Sequence, residues 1–235
     1  MAVTSLGSNS NISTGTLTLT SVTVPAGALI VVAISEADSG ATPGSASDSV
    51  GNTYTEIAKV NHNNTAATGY GRMYYVKNCT ALGGGTITFT KGGTGRACIA
   101  AIYSDDRDTA APLDTSVTAT AFGSGSDGQT VTSGTPAEAN ELFVGVVTMT
   151  EGRSVTTIDA GNGWTAGPSV KSGGAGNDDQ IVIGYQTNTG TGTKTYATSN
   201  IRAVAGDASF IFSFKAARRS LPPFSRSPRF MTRRF

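Results

Sequence analysis

Residues 29–34 read Leu29-Ile-Val-Val-Ala-Ile34. Six apolar side chains in succession, four of them β-branched, suit an extended strand better than a helix, which restricts branched side chains at χ1. Strict alternation would mark a strand with one face in water, whereas an unbroken run marks a central strand covered on both faces. A different pattern stands at Thr86-Ile-Thr-Phe-Thr90, where alternation sends Ile87 and Phe89 inward and the threonines to solvent. Working outward, comparable runs predict strands at 16–24, 29–35, 54–60, 72–76, 86–90, 97–103, 115–121, 142–150, 180–185, 194–198 and 208–214. Glycine clusters such as Gly83-Gly84-Gly85, Gly92-Gly93 and Gly173-Gly174 supply turns between them. No window carries a helical apolar period over three turns. The expectation is an all-β, antiparallel sandwich.

Composition agrees. The chain has 235 residues with 30 glycines, 35 threonines, 24 serines and only 14% charged residues, which excludes a helical bundle. No run approaches a membrane-spanning helix, and Met1-Ala-Val-Thr-Ser5 lacks the basic and apolar regions of a signal peptide, so no membrane role is expected. The formal net charge of +1 hides a split: all sixteen acidic residues lie at or before Asp207, and six of seventeen basic ones lie beyond Lys215. The body through Lys215 therefore carries −5 and the remainder +6.

The body repeats its pattern at a period of a little over 110 residues. Pro25-Ala-Gly-Ala-Leu-Ile-Val-Val-Ala-Ile34 leads to Asp48-Ser-Val-Gly-Asn-Thr-Tyr54, then Arg72-Met-Tyr-Tyr-Val76, Thr86–Thr90 and Arg96–Tyr103. Glu138-Ala-Asn-Glu-Leu-Phe-Val-Gly145 leads in the same order to Asp159-Ala-Gly-Asn-Gly-Trp164, Gln180–Tyr185, Lys194–Thr198 and Asp207–Phe214. Two tandem domains and two halves of one sandwich are both open. The short connector from Ser104 to Thr115 and the poor core of an isolated half favour one sandwich, 1–216, with halves near 15–108 and 115–216.

These residues resemble jelly-roll-like β-sandwich domains of bacteriophage virion structural proteins, both capsid-decoration and tail-associated, and of related bacterial surface proteins. The likeness rests on Asp48–Tyr54, Met73-Tyr-Tyr-Val-Lys-Asn78, Thr86–Thr90, Ala100-Ala-Ile-Tyr-Ser104, Pro112-Leu-Asp114, Glu138–Gly145 and Gly161-Asn-Gly-Trp164. It covers roughly 15–216 and carries no catalytic motif. It implies a structural or attachment role in the virion.

Conventional catalysis finds little support. His62, in Asn61-His-Asn-Asn64, reads as an exposed loop residue, and no second histidine exists to complete a metal site. The carboxylate groups Glu36/Asp38, Asp105/Asp106/Asp108, Glu138/Glu141 and Asp178/Asp179 fall at strand ends, where acidic residues are ordinarily solvated. Neither catalytic residues, metal nor cofactor are expected. Cys98 falls in an apolar run and Cys79 before a turn; free thiols are the default, with a disulfide left open. Trp164 is the candidate glycan platform, although its match to Tyr54 favours a structural corner residue.

Beyond the body, residues 217–235 mix arginines, prolines and phenylalanines that cannot pack a core of their own. This arm reads as extended, with Phe224, Phe230 and Phe235 as apolar anchors and Arg218, Arg219, Arg226, Arg229, Arg233 and Arg234 as partners for carboxylates. Interspersed proline and phenylalanine suit a protein groove better than nucleic acid. The function expected is a non-enzymatic virion protein, a capsid decoration or cement protein docked on other virion proteins through its arm. A homo-oligomer, with a trimer favoured, goes with that role; a tail or fibre component stands close behind. The alternative is a carbohydrate- or receptor-binding module of a tail, fibre or cell-surface protein. A glycan-active enzyme using two loop carboxylates comes third.

Overall fold

A computed structural model describes residues 2–12, 15–37, 44–62, 69–93, 95–124, 128–149, 157–158, 162–173, 179–187, 190–199 and 205–217. Among them run sixteen strands, all paired antiparallel. The first eight are β1 (Val3–Asn11), β2 (Thr16–Val24), β3 (Leu29–Ala37), β4 (Ser45–Asp48), β5 (Thr55–Asn61), β6 (Gly69–Val76), β7 (Leu82–Thr90) and β8 (Ala97–Ser104). The second eight are β9 (Leu113–Ser124), β10 (Gly128–Thr132), β11 (Leu142–Met149), β12 (Thr157–Ile158), β13 (Thr165–Lys171), β14 (Gln180–Thr187), β15 (Thr195–Ser199) and β16 (Ala205–Phe214).

The first set makes a wide sheet in the order β1-β8-β3-β6-β5 and a narrow one in the order β2-β7-β4. The second makes a wide sheet in the order β9-β16-β11-β14-β13 and a narrow one in the order β10-β15-β12. Each strand of the second set thus holds the place of the strand eight before it.

Three apolar cores separate four layers. Leu17, Leu19, Ile87 and Phe89 of the first narrow sheet pack on Ile30, Val32, Ile34, Ile99 and Ala101 of its wide sheet. The other face of that wide sheet, with Leu29, Val31, Ala33, Met73 and Ile102, packs on Leu142, Val144, Val146, Ile183, Phe210, Phe212 and Phe214 of the second wide sheet. Phe143, Val147 and Ile211, on that sheet's far face, meet Val131 and Tyr196 of the last layer.

The antiparallel, face-to-face packing is that of a sandwich, and the layers number four. The reason lies in the opening stretch. All nine residues of β3 and all eight of β11 are buried, their side chains alternating between an outer core and the middle one. A two-sheet sandwich covers each sheet on one face only; strands without a polar face need a layer on either side. Each fully buried leucine, isoleucine or phenylalanine contributes about 1.5–3 kcal/mol, so the middle core is a large term in holding the layers together.

The wide sheets lie with β1 against β13 and β5 against β9. Along the first of these edges Ser8 Oγ donates to Ser169 O (3.0 Å) and Ser10 Oγ to Lys171 O (3.3 Å), which covers carbonyls that an open edge would leave exposed.

Five strands lack a run in the sequence expectation: β1, β4, β10, β12 and β13. β1 reads Val-Thr-Ser-Leu-Gly-Ser-Asn-Ser-Asn, with its register shifted between Ser5 and Gly7, and Gly7 takes a left-handed φ of 99° that a branched residue resists. β13 carries Pro168 inside its own shift between Ala166 and Ser169 and stands at a sheet edge, where the missing N–H breaks no ladder.

Candidate functional site

The last described residues, Lys215–Ala217, are tied to the connector between the two strand sets. Asp108 N donates to Lys215 O (3.0 Å), Lys215 N to Pro112 O (2.7 Å) and Ala217 N to Asp106 O (3.5 Å), and Arg107 bridges to Ala216. Arg107 is buried, its Nη1 donating to Asn140 O (3.0 Å) and Phe214 O (3.1 Å). Asp108 Oδ1 accepts the N–H groups of Ala110 (2.8 Å) and Ala111 (3.1 Å), which turns the connector, and Lys77 Nζ reaches Ala110 O (2.8 Å). Arg107, Asp108, Thr109, Ala110 and Ala217 line an open pocket of about 400 Å³ here.

Two buried carboxylates lie just inside this end. Asp114 accepts from Ser116 N (2.9 Å), Ser116 Oγ (2.6 Å) and Ala137 N (2.7 Å). Burial alone would raise its pKa, but these donors outweigh burial and hold the carboxyl below its ordinary range. Glu141 accepts from Glu138 N (3.1 Å) and from Ser213 Oγ, and burial, with the neighbouring Asp114 charge adding, pushes its pKa up. Both carboxylates are consumed in fixing loop backbone and a strand hydroxyl.

Two of the other expected acidic groups, Glu36 and Asp179, share an electrostatic partner in Lys91. Glu36 is buried against Arg72 (Nε to Oε2, 3.6 Å) and accepts from Gly92 N (2.6 Å); its pKa is raised by burial against the pull of Gly92 and Arg72. Arg72 also reaches Glu56 Oε1 at 3.6 Å. Asp179 is buried with Oδ2 accepting from Ala37 N (3.2 Å). Asp38 and Asp178 lie outside the described residues. Among the described residues no three His, Cys, Asp or Glu side chains gather where they could hold a metal.

His62 is not the exposed loop residue expected. It is fully buried, with Nε2 2.9 Å from Thr148 Oγ1, and its backbone N–H donates to Gly69 O (3.1 Å). Burial pushes its pKa down to about 3. The polar neighbours in the sequence hid that β5 ends beneath a strand of the other set. Cys79 and Cys98 are free and buried, in different cores, with their thiols on Pro25 O (3.2 Å) and Asp179 O (3.3 Å).

Trp164 is 3% exposed, so it offers no ring face to a sugar. Its ring centroid lies 4.7 Å from that of Tyr196, and its indole N–H donates to Thr195 O at 2.8 Å. The Tyr196 ring fills the notch over Gly145 and Gly184, where any Cβ would collide with it. Tyr54 closes the corner of the first set differently, with its hydroxyl donating to Asp48 Oδ2 (3.1 Å). Asp48 also takes Asn52 Nδ2 (2.8 Å), and Asn52 pairs with Thr80 through Nδ2–O (3.2 Å) and N–Oδ1 (2.7 Å).

The corner beside Trp164 is open instead. Asn162, Gln186, Thr193, Lys194 and Thr195 line a pocket of about 480 Å³. None of these stands out in the sequence, because amide, hydroxyl and lysine side chains are ordinary in loops. The one signal is Gln186, the first polar side chain after the run Ile181–Tyr185.

Arg218, Arg219, Phe224, Arg226, Arg229, Phe230, Arg233, Arg234 and Phe235, the expected anchoring residues, lie outside the described residues. No family model, curated protein or solved structure matches the chain.

Proposed function

We propose that the chain is a non-enzymatic structural protein of a bacteriophage particle, a capsid decoration protein attached to its neighbours through the basic segment beyond Ala217. The observation that carries this reading is how the last described residues are held: Lys215–Ala217 are tied by backbone hydrogen bonds to the connector residues Asp106, Asp108 and Pro112, which fixes the root of the basic segment. A tether fixed at its root loses less freedom on docking than one attached to a mobile end. The charge division suits the same use: a body of −5 repels its copies, while a segment of +6 with three phenylalanines seeks a carboxylate-lined, partly apolar groove.

On this reading each set of eight strands is a jelly-roll-like unit and the second repeats the first. The repeated strand order supports it. So does the stacking, in which β1 meets β13 while their counterparts β9 and β5 meet each other, as the equal halves of a two-fold dimer would.

The test is a chain lacking residues 218–235, which spares Lys215–Ala217. Particles assembled with it should lack the protein while its thermal unfolding stays unchanged. Normal incorporation of the shortened chain overturns the reading.

A further inference from the structure

β14 and β6 hold the same place in their sheets, and their ends differ in one informative position. Val76 pairs with Ile30 and sits in an outer core at 2% exposure. Its counterpart, paired with Phe143, is Gln186 at 8% exposure. Replacing an isopropyl group by a carboxamide at a buried position is unfavourable unless the amide is hydrogen-bonded. Gln186 Nε2 has no partner among the described residues. Gln186 lines the 480 Å³ pocket, a volume within the range of small-molecule sites, with Nε2 covered in the conformation described.

The rest of the wall is polar and firmly held. Lys194 N donates to Ser133 Oγ and Ser133 N to Lys194 O, both at 2.8 Å. Thr195 is fixed through its carbonyl by Trp164 Nε1 (2.8 Å) and through its hydroxyl by Thr132 Oγ1 (3.0 Å). Asn162, Gln186, Thr193, Lys194 and Thr195 therefore line a space whose wall at Lys194 and Thr195 is fixed by hydrogen bonds to Ser133, Trp164 and Thr132. Amides and hydroxyls both donate and accept, as adjacent ring hydroxyls require, and the ammonium suits a carboxylate. With the Trp164 ring buried beneath, recognition here rests on polar contacts and not on stacking.

We propose that this pocket binds an acidic saccharide unit, a pyranose bearing a carboxylate. Its carboxylate pairs with Lys194, and its ring hydroxyls engage Thr193, Asn162 and the Gln186 amide, which turns over to present Nε2. The pocket shares no lining residue with the one at the connector, and the inference does not rest on attachment through the basic segment.

The experiment titrates the full chain with glucuronate, and separately with glucose, while amide resonances of residues 193–195 are followed by NMR. Glucuronate should give saturable shifts at about millimolar affinity, the level expected of one sugar unit. Glucose should bind at least about fivefold more weakly, and the gap should narrow as salt rises. Gln186→Val and Lys194→Met should each weaken glucuronate about tenfold, the loss of one charge-assisted or buried hydrogen bond. Gln186→Val introduces the residue found at the matching place in the first strand set, so its unfolding temperature should not fall. Should it fail to fold, Lys194→Met on a half-exposed side chain decides alone. Absence of saturable shifts, equal binding of the two sugars, or undiminished binding by the folded variants overturns the proposal.

Discussion

His62 Nε2 stands 2.9 Å from Thr148 Oγ1, a polar contact made in the interior between a strand end of the first set and β11 of the second. The imidazole is neutral there, because burial disfavours a positive charge and pushes its pKa down to about 3. An unfolded chain binds the proton near pH 6.5. The folded state therefore holds its full advantage above pH 6.5 and loses it progressively as pH falls from there toward 3. The loss should reach a few kcal/mol, on the order of 1.4 per pH unit crossed. Urea midpoints measured from pH 7 to pH 4 should decline, and His62→Gln should flatten that decline. An equal decline in the variant would assign the acid sensitivity to other groups.

The pair Glu36 and Arg72 is buried with a separation of 3.6 Å and few other bonds to satisfy the guanidinium. Removing one charge should hurt more than removing both. Glu36→Gln is expected to cost about 3–5 kcal/mol, and Arg72→Met combined with Glu36→Leu to regain most of it. Chemical denaturation of the single and double variants tests this, and additive losses would refute it.

Gly145→Ala should destabilise by about 1–3 kcal/mol, because the new methyl would fall on the Tyr196 ring and force the last layer outward. Near-UV circular dichroism should register the displaced Tyr196–Trp164 pair. An unchanged melting temperature and spectrum would mean that the layer yields freely.

Phe210→Ala empties part of the middle core, where the two wide sheets meet. The expected loss is about 3–5 kcal/mol, felt as one transition shifted as a whole. Two resolved calorimetric transitions, only one of them moved, would show that the strand sets unfold separately.

The central strands were legible because burial on both faces leaves its mark in a single run. Leu29–Ile34 and Leu142–Val147 carry almost no polar residue, and threonine alternation marks Thr86–Thr90 as half-exposed. The edges were not legible, since β1 and β13 are held by pairing and by Ser8 and Ser10 reaching across to another sheet, none of which needs apolar side chains. The same runs implied more than two layers, a consequence that strand counting alone passes over. His62 was misjudged because Asn61, Asn63 and Asn64 describe its neighbours along the chain and not those in space. The open corner was out of reach for a related reason: Gln186, Thr193 and Lys194 become a wall only when β14 and the approach to β15 come together.

The connector from Asp105 to Pro112 has a kinetic consequence. Two separate chains presenting faces like those of the wide sheets would meet at a rate set by their concentration, and dilution would part them. On one chain the faces meet intramolecularly, so their stacking is indifferent to dilution and always pairs one first set with one second. Fixed pairing also leaves the two sets free to differ. One can close its corner with Asp48, Asn52 and Tyr54 while the other leaves its corner open beside Gln186.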